Sequence, residues 1–244
     1  MPTRTVEDYI KRLYLAEQAL TRISSGNAKV DTKPRKKTSG KSDSKAGLVM
    51  LSKLAQAMGV VPGTVTTMMR TLDEAGLVNY EPRSGCRLTD RGRKLALHVI
   101  RRHRLVELFL VRSLGLDWSE VHEEAEELEH AISERVLDRI DQHLGRPLFD
   151  PHGDPIPDRD GKLPKRAESS LLECEKGSRV KVSRIEHQDA QFLNFARDNG
   201  LIPGEVLMVV QANTTAGLVI VRGKGGIDIP LGTTAAGRVR VVKA

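Results

Sequence analysis

The stretch that decides the fold covers residues 51–92 and reads LSKLAQAMGVVPGTVTTMMRTLDEAGLVNYEPRSGCRLTDRG. Its apolar side chains recur at helical spacing and predict a short helix that ends at Gly59, a residue type that favours helix C-termini. A turn through Pro62 opens a second helix. The apolar run 77–80 and its return strand 86–88 then predict a β-hairpin. This order of helix, turn, helix and hairpin is that of a winged helix.

The second helix of this stretch has two different faces. Val65, Met69 and Leu72 fall within about 60° of one another at 100° per residue and predict a buried stripe. The opposite face is polar and poor in acids, which suits an approach to DNA. The expected DNA-contacting residues are Pro62, Gly63, Thr64, Thr66, Thr67, Arg70, Arg83 and Arg87. The alternative is a surface helix with solvated threonines, and the adjoining hairpin and a nearby basic segment favour DNA.

Helical spacing also predicts long helices on both sides of the winged helix. A first helix is expected over 5–23, and two helical stretches are expected over about 90–114 and 118–144. Between the first helix and the winged helix, residues 24–47 are rich in Ser, Gly and Lys. Such a composition buries too little apolar area to offset the entropy of ordering, so it predicts a disordered basic insert.

The C-terminal part of the chain has a different pattern. A region rich in Pro and Gly over 145–176 is followed by short alternating apolar runs over 177–244, which predict a small β-barrel. The predicted fold class is therefore α+β and mainly α. We expect a winged-helix domain over 1–90, a helical domain over 91–150, a linker over 151–176 and the barrel over 177–244.

Composition limits the classes of protein that this chain can belong to. The 244 residues carry 39 Lys and Arg against 32 Asp and Glu, a net charge of +7 that is compatible with a polyanionic partner. No apolar run reaches the length of about 20 residues that a membrane helix needs. The two cysteines, Cys86 and Cys174, exclude a disulfide framework and a cysteine-rich metal cluster. We expect a cytoplasmic protein that does not bind membranes.

Residues 121–130, VHEEAEELEH, combine a buried stripe with many metal-ligand types. On a helical wheel, His122, Glu126, Glu129 and His130 span about 100° on one flank of the apolar face. On the preceding helix, the i, i+4 pair His103 and Glu107 also projects to one side. Two such helices packed antiparallel would gather three imidazoles and several carboxylates.

The alternative for this acid-rich helix is an ordinary solvated face, and for any one of its residues that interpretation is preferred. For the whole set a divalent cation is favoured, because it removes the repulsion between the carboxylates. Oxygen and imidazole donors without a thiolate favour Mn²⁺ or Fe²⁺ over a structural zinc site. The sequence therefore predicts a divalent metal site.

With the wing, the paired helices and the donors in place, the chain resembles the diphtheria-toxin-repressor family of metal-dependent transcriptional repressors, which includes the manganese transport regulators. The matching stretches follow one another along nearly the whole chain outside 24–47. They are residues 5–10 (TVEDYI), the winged helix 51–92, 102–107 (RHRLVE), 115–118 (GLDW), 121–130 and 150–157 (DPHGDPIP). The C-terminal barrel is similar to the SH3-like FeoA-type domain of many members.

The resemblance implies a primary metal site at Asp8, Glu126, Glu129 and His130, and an ancillary site at His103, Glu107 and His122. Iron-type members typically have Met and Cys at the positions of Asp8 and Glu126, so the hard oxygen donors found here suit Mn²⁺, with Fe²⁺ as the alternative. Lys11 replaces a Glu of some manganese regulators, which argues against a close dinuclear site. The barrel of iron-type members also lends ligands, and Glu186, His187 and Gln188 lie in the corresponding stretch.

The same resemblance implies a homodimer that binds a palindromic double-stranded operator and represses genes for metal-ion uptake. Two other classes of function stay open at this point. A metallohydrolase could use the same donors to activate water, although the sequence offers it no further acid–base pair or Gly-rich substrate loop. A winged-helix regulator that ignores metal could carry the acids for charge balance alone.

Overall fold

The computed structural model describes residues 3–27, 47–186, 189–213 and 215–244, and the chain divides into two compact units, Met1–Ile100 and Arg101–Ala244. Most of the predicted basic insert at 24–47 lies outside the described residues, and so do His187 and Gln188. In the described part of the chain, no helix is long and apolar enough to cross a membrane.

The first unit is a winged helix with one long helix before it. Its helices and strands are α1 (Arg4–Asn27), α2 (Leu51–Met58), α3 (Pro62–Glu74), β1 (Val78–Glu81), β2 (Gly85–Leu88) and the first part of α4 (Asp90–Leu114). The two strands pair antiparallel in the register Val78↔Leu88. The predicted order of helix, turn, helix and hairpin is therefore confirmed.

Local sequence explains these elements. Val65, Met69 and Leu72, the predicted stripe of α3, are all buried. Gly59 ends α2 in the left-handed conformation at φ 64°, as its position after the last apolar residue predicts. Gly85 begins β2 at φ 142°, where a Cβ atom would meet the carbonyl oxygen of Val49 at 2.6 Å. Only glycine allows the segment before α2 to approach the wing this closely.

The second unit begins with the remainder of α4 and continues with α5 (Val121–Leu128) and α6 (Glu134–His143). The prediction of one helix over 118–144 is wrong, because the chain turns between Leu128 and Glu134. Ser133 starts α6 as its N-cap, and its hydroxyl oxygen accepts a hydrogen bond from the Val136 N–H at 3.4 Å. Glu129 and His130 therefore lie at the end of α5 and not within a continuous helix.

A six-stranded antiparallel sheet completes the second unit and confirms the predicted SH3-like architecture. Its strands are β3 (Ser169–Ser170), β4 (Arg179–Ile185), β5 (Val206–Asn213), β6 (Leu218–Arg222), β7 (Asp228–Gly232) and β8 (Val239–Lys243), in the order β3-β8-β4-β5-β6-β7. Two short helices that the sequence did not predict, α7 (Ala190–Asp198) and α8 (Thr233–Arg238), interrupt the strands.

The segment between α6 and the sheet has few regular hydrogen bonds but is attached to β4. The Ile185 N–H donates to the His152 carbonyl at 2.9 Å, and Arg184 pairs with Asp154 at 3.3 Å. Inside the segment, Phe149 and Pro155 form an isolated bridge. These contacts hold the residues around His152 against β4.

Candidate functional site

Three potential ligands from α4 and α5 meet inside the second unit. His103 and Glu107 are one turn apart on α4, and His122 is in the first turn of α5. The Glu107 Oε1 atom lies 2.9 Å from His103 Nε2 and 3.1 Å from His122 Nδ1, and these two nitrogens are 3.1 Å apart. Glu107 is fully buried and His103 is 5% exposed. The predicted grouping of these three residues is present in the structure.

The spacing of these three atoms is suited to a metal ion. Neighbouring ligands of an octahedral ion with bonds of about 2.1 Å lie about 3.0 Å apart. A tetrahedral zinc site with similar bonds separates its ligands by about 3.4 Å. The observed separations of 2.9–3.1 Å let all three atoms contact one ion, and they are also the lengths of ordinary hydrogen bonds. Octahedral coordination by nitrogen and oxygen is preferred by Mn²⁺ and Fe²⁺ more than by structural zinc.

Glu129 connects this group with the next potential ligand. It is fully buried, its Oε2 lies 2.7 Å from His103 Nδ1, and its Oε1 lies 3.3 Å from His130 Nε2. A carboxylate oxygen accepts hydrogen bonds, so Glu129 orients His103 with Nδ1 as a donor toward Glu129 and with Nε2 facing Glu107. A carboxylate that orients a histidine in this way is a common support of metal ligands.

Glu126 lies one turn after His122 on α5, and its Oε1 is 3.5 Å from His122 Nε2. Glu126 and His130 are half-buried. The second unit thus brings Glu126, Glu129 and His130, three of the four predicted primary-site residues, to the end of one helix. The fourth, Asp8, is half-buried on α1 in the first unit.

The electrostatics around Glu107 keep its carboxylate charged. Burial on its own would raise the pKa of Glu107, but the charge and hydrogen bond of His103 and the hydrogen bond of His122 outweigh it. Together with the charge of His152, they hold the pKa of Glu107 well below its usual range. The histidines around Glu107 therefore favour the charged form of its carboxylate.

A further pair of donors, Asp150 and His152, faces Glu107 and was not predicted from the sequence. Potential ligand atoms of these three residues lie within 4.8 Å of one another, and all three residues are buried. Glu107 Oε2 and Asp150 Oδ2 have no hydrogen-bond partner among the described residues. Burial, followed by the charges of Asp154 and Glu107, raises the pKa of Asp150 well above its usual range.

His152 has a defined orientation within this group. Its Nε2 lies 2.7 Å from the Trp118 carbonyl oxygen, which can only accept, so Nε2 carries a proton and the other ring nitrogen faces Glu107 Oε2 at 3.9 Å. The rings of Trp118 and His152 are stacked with centroids 5.3 Å apart. The pair lies in a loop with Pro and Gly, where helical periodicity gives no signal, and the spacing Asp-x-His was the available sequence signal.

Two other residues discussed from the resemblance have defined surroundings. Lys11 is buried on α1. Glu186 forms ion pairs with Arg184 at 2.8 Å and with Arg240 at 3.0 Å, and both are within the second unit. These two arginines compete with any metal for the Glu186 carboxylate.

The predicted DNA-contacting residues form an exposed surface of the first unit. Pro62, Gly63, Thr64, Thr67 and Arg70 are exposed on α3, and Thr66 is half-buried. The hydroxyls of Thr66 and Thr67 donate to the carbonyl oxygens of Pro62 and Gly63, at 3.0 Å and 3.2 Å. Because the hydroxyl protons are used within the helix, these threonines present acceptor oxygens and methyl groups, which match base donors and thymine methyls.

The wing carries the two remaining basic residues of this surface. Arg83 and Arg87 are both exposed. Arg83 has φ 66° in a turn that the Ser84 N–H closes on the Glu81 carbonyl oxygen at 3.0 Å. A left-handed conformation at a residue other than glycine is unusual and is often found at functional positions.

Comparison with known families agrees with this layout. The description "iron dependent repressor, N-terminal DNA binding domain" matches residues 41–86, and "iron dependent repressor, metal binding and dimerisation domain" matches residues 89–158. A FeoA domain matches residues 169–243.

Individual proteins of known sequence or structure are also similar. The iron-dependent repressor IdeR of Mycobacterium tuberculosis is 30% identical over 191 residues, which are 73% of this chain and 83% of that protein. The transcriptional regulator MntR of Lysinibacillus sphaericus is 32% identical over 142 residues, 57% of this chain and 81% of that one. A manganese-dependent transcriptional repressor solved in complex with manganese has a TM-score of 0.78 and 36% identity, covering 98% of this chain and 100% of that one.

Proposed function

Because the chain belongs to the diphtheria-toxin-repressor family of metal-dependent, DNA-binding transcriptional repressors, we propose that it senses Mn²⁺ and controls genes for metal-ion uptake. The observation that carries the choice of ion is the donor group His103, Glu107 and His122. It offers imidazole nitrogen and carboxylate oxygen without a thiolate, at separations of 2.9–3.1 Å. Fe²⁺ takes the same donors and is the alternative ion.

We assign the residues to two sites. The ancillary site consists of His103, Glu107 and His122. The primary site consists of Glu126, Glu129 and His130 together with Asp8, which the family resemblance supplies from α1. Glu129 serves both sites, because it binds the primary ion and also holds His103 in the tautomer that turns Nε2 toward Glu107.

The donor geometry itself favours a bound cation. His103 Nε2, His122 Nδ1 and Glu107 Oε1 are all acceptors when the histidines are neutral, and they converge on one point. Protons must occupy this point in the metal-free protein, and a divalent ion that binds there releases them. When bound, the ion supplies two positive charges that balance the buried carboxylates. Glu107 and Glu129 are fully buried, so we assign the site a sensing role and no reaction on a substrate.

The DNA-binding form is a homodimer, as expected for a chain with a metal binding and dimerisation domain. We propose that it reads a palindromic operator whose half-sites lie about one helical turn apart. Thr64, Thr66 and Thr67 on α3 contact base edges, and Arg70, Arg83 and Arg87 contact the DNA backbone. This activity belongs to the cytoplasm, where such operators are found.

Metal and DNA are coupled through α1 in this proposal. Asp8 lies near the start of α1, and the other primary ligands lie at the end of α5. An ion held by both fixes the winged helix in the arrangement that fits both half-sites. By linkage, DNA must then tighten metal binding by the same factor by which metal tightens DNA binding, and factors of about 5–150 are typical.

A metal titration of chelator-stripped protein tests this function. Fluorescence anisotropy measures its affinity for a fluorescent fragment of its own upstream DNA at fixed salt, with Mn²⁺, Fe²⁺ under anaerobic conditions, or Zn²⁺. We expect tight binding only with metal, and at the lowest concentration with Mn²⁺. Equal affinity with and without metal would show that the donors are structural.

Variants separate a sensing site from a general effect of charge. Glu126→Ala and His130→Ala remove proposed primary ligands and are expected to abolish the metal response. Glu124→Gln is the matched control, because Glu124 is an exposed acid on the same helix. It is expected to keep the full response. A metal response that survives in both ligand variants contradicts the assignment of the primary site.

A further inference from the structure

Glu17 is a buried carboxylate of α1 that neither metal binding nor DNA contact explains. It is 8% exposed, and both of its oxygens accept a short hydrogen bond. Oε1 accepts from the Leu88 backbone N–H at 2.6 Å, and Oε2 accepts from the Arg93 guanidinium at 2.6 Å. Leu88 is the last residue of β2, and Arg93 lies in the first turn of α4. Glu17 therefore links α1 to two elements more than seventy residues away in the sequence.

The Leu88 N–H that binds Glu17 lies on the outer edge of β2. One edge of β2 pairs with β1, and on the other edge Cys86 exchanges two backbone hydrogen bonds with Val49, at 2.8 Å and 3.0 Å. The Leu88 N–H lies two residues further along, so it points to the same outer edge as the Cys86 N–H. The Glu17 carboxylate thus accepts the hydrogen bond that the carbonyl of a neighbouring strand would otherwise accept from Leu88. Arg87, exposed in the wing, lies between the two points where this edge is attached.

These bonds fix α1 in a way that apolar packing does not. Ile10 and Leu13 also bury α1 in the first unit, but the hydrophobic effect itself is non-directional. Charge-assisted hydrogen bonds are directional, and a buried carboxylate that loses them is costly. The Arg93 guanidinium also lies 5.6 Å from the centre of the Tyr14 ring, which adds a second contact between α1 and α4.

Glu17 is nine residues after Asp8 on the same helix, about 14 Å along its axis at 1.5 Å per residue. We propose that Glu17 is the positioning residue that makes the wing and the start of α4 follow α1 when metal binds to Asp8. The proposal rests on the proposed function above. In this proposal, Glu17 couples metal binding at Asp8 to the position of Arg87. Glu17 itself contacts neither metal nor DNA.

The variant Glu17→Gln tests this role with little change of shape. The amide oxygen can still accept from Leu88, but an NH₂ group then faces Arg93 and the ion pair is lost. We expect the metal-dependent gain in DNA affinity to fall about tenfold, the effect of one charge-assisted hydrogen bond. The affinity for Mn²⁺ without DNA, measured by electron paramagnetic resonance of the free ion, and the metal-free affinity for DNA are expected to stay within about twofold of wild type.

Asp73→Asn is the matched control for a structural effect on the wing. Asp73 Oδ1 also accepts a backbone N–H of the hairpin, that of Tyr80 at 3.0 Å, but from α3 and not from α1. This variant is expected to keep the wild-type ratio of DNA affinities with and without Mn²⁺. If Glu17→Gln does not fold, Arg93→Gln breaks the same pair at a side chain that is 40% exposed, and it is expected to lower the same ratio.

Two results overturn the proposal. One is an unchanged ratio in Glu17→Gln and Arg93→Gln, and the other is an equal loss of DNA affinity with and without metal, which marks a purely structural role. Failure of the proposed function gives a different result. In that case the DNA affinity of the wild-type protein does not depend on metal, or the Asp8→Ala variant retains the metal-dependent gain in DNA affinity. With a responsive wild type, adding Glu17→Gln to Asp8→Ala is expected to have no further effect on the ratio.

Discussion

Replacement of Glu107 by glutamine is the most direct perturbation of the ancillary site. Glu107 Oε1 is within 3.1 Å of both site histidines and is fully buried. Glutamine keeps the shape but removes the negative charge and offers an NH₂ group that cannot bind a cation. Because changes in supporting residues alone cost about 10–100-fold in metal affinity, we expect the loss of this ligand to cost at least about 100-fold.

The expected loss of Mn²⁺ affinity can be measured as a smaller Mn²⁺-dependent rise in the melting temperature. At a Mn²⁺ concentration of about 100 times the dissociation constant, one bound ion stabilises the folded protein by about 2.7 kcal/mol. One kcal/mol shifts the melting temperature of a domain the size of Arg101–Ala244 by about 2–4 °C, so the ion contributes about 5–10 °C. A 100-fold weaker site at the same Mn²⁺ concentration contributes only about 1–2 °C.

Circular dichroism at 222 nm measures the melting temperature with Mn²⁺ and with chelator, and electron paramagnetic resonance counts the bound ions. For Glu107→Gln we expect a smaller Mn²⁺-dependent shift and, at the same Mn²⁺ concentration, about half an ion fewer per chain. Glu123→Gln changes an exposed acid of α5 by the same chemistry and is expected to behave as wild type. A full melting shift and an unchanged number of ions in Glu107→Gln would refute the assignment of His103, Glu107 and His122 as a metal site.

Three further predictions concern the surface, the thiols and acid stability. Arg70→Ala on the exposed face of α3 should weaken binding to all DNA sequences alike and reduce the slope of log affinity against log salt by about 1, as measured by anisotropy between 50 and 200 mM salt. An unchanged slope contradicts phosphate contact by Arg70. Burial raises the pKa of Cys86 to about 12, so mass spectrometry should find Cys86 unlabelled by a thiol reagent at pH 8 until the protein is denatured. Hydrogen bonds from Ser119 lower the pKa of Asp117, so Asp117 stabilises the fold above its unfolded-state pKa, and this contribution is lost as pH falls through the lower folded-state value. Asp117→Asn should remove this part of the acid dependence in urea titrations between about pH 5 and 2, by less than about 1 kcal/mol because the Asp117 side chain is 37% exposed and solvent screens its interactions.

The sequence was most informative where a helix has one buried face. The buried stripe of α3 and the end of α2 at Gly59 agree with the structure because the helical period and a left-handed glycine are local properties. The break between α5 and α6 was missed because apolar residues continue at helical spacing through Ile132. Only Ser133 followed by Glu134 marked a new helix start, and this signal is weak beside a regular apolar pattern.

The residues of the candidate site that lie on helices could be placed from the sequence, and those that lie in an irregular loop could not. The pair His103 and Glu107 could be placed on one helix face by counting residues, and the structure brings His122 to it. Asp150 and His152 could not be placed from the sequence, because a loop with Pro and Gly has no period. Their approach to Glu107 depends on long-range contacts, such as the hydrogen bond of Ile185 to His152. Such contacts are set by the packing of the whole unit.

The sharing of Glu129 between the two proposed sites has a consequence for how the repressor responds to metal. Its two oxygens face His103 and His130, and it has no exposure to water that would screen its charge. An ion held by His103, Glu107 and His122 would make the His103 Nδ1–H a stronger donor to Glu129 and would draw electron density from this carboxylate. The same ion would fix the orientation of Glu129, so the binding of a second ion would cost less conformational entropy. The loss of electron density on Glu129 lowers the affinity of the primary site for an ion, and the smaller entropy cost raises it. Because Glu129 is already held at 2.7 Å by His103 in the folded protein, little ordering remains to be gained. The geometry therefore favours filling of the two sites without positive cooperativity, with a Hill coefficient at or below 1 per chain in a Mn²⁺ titration.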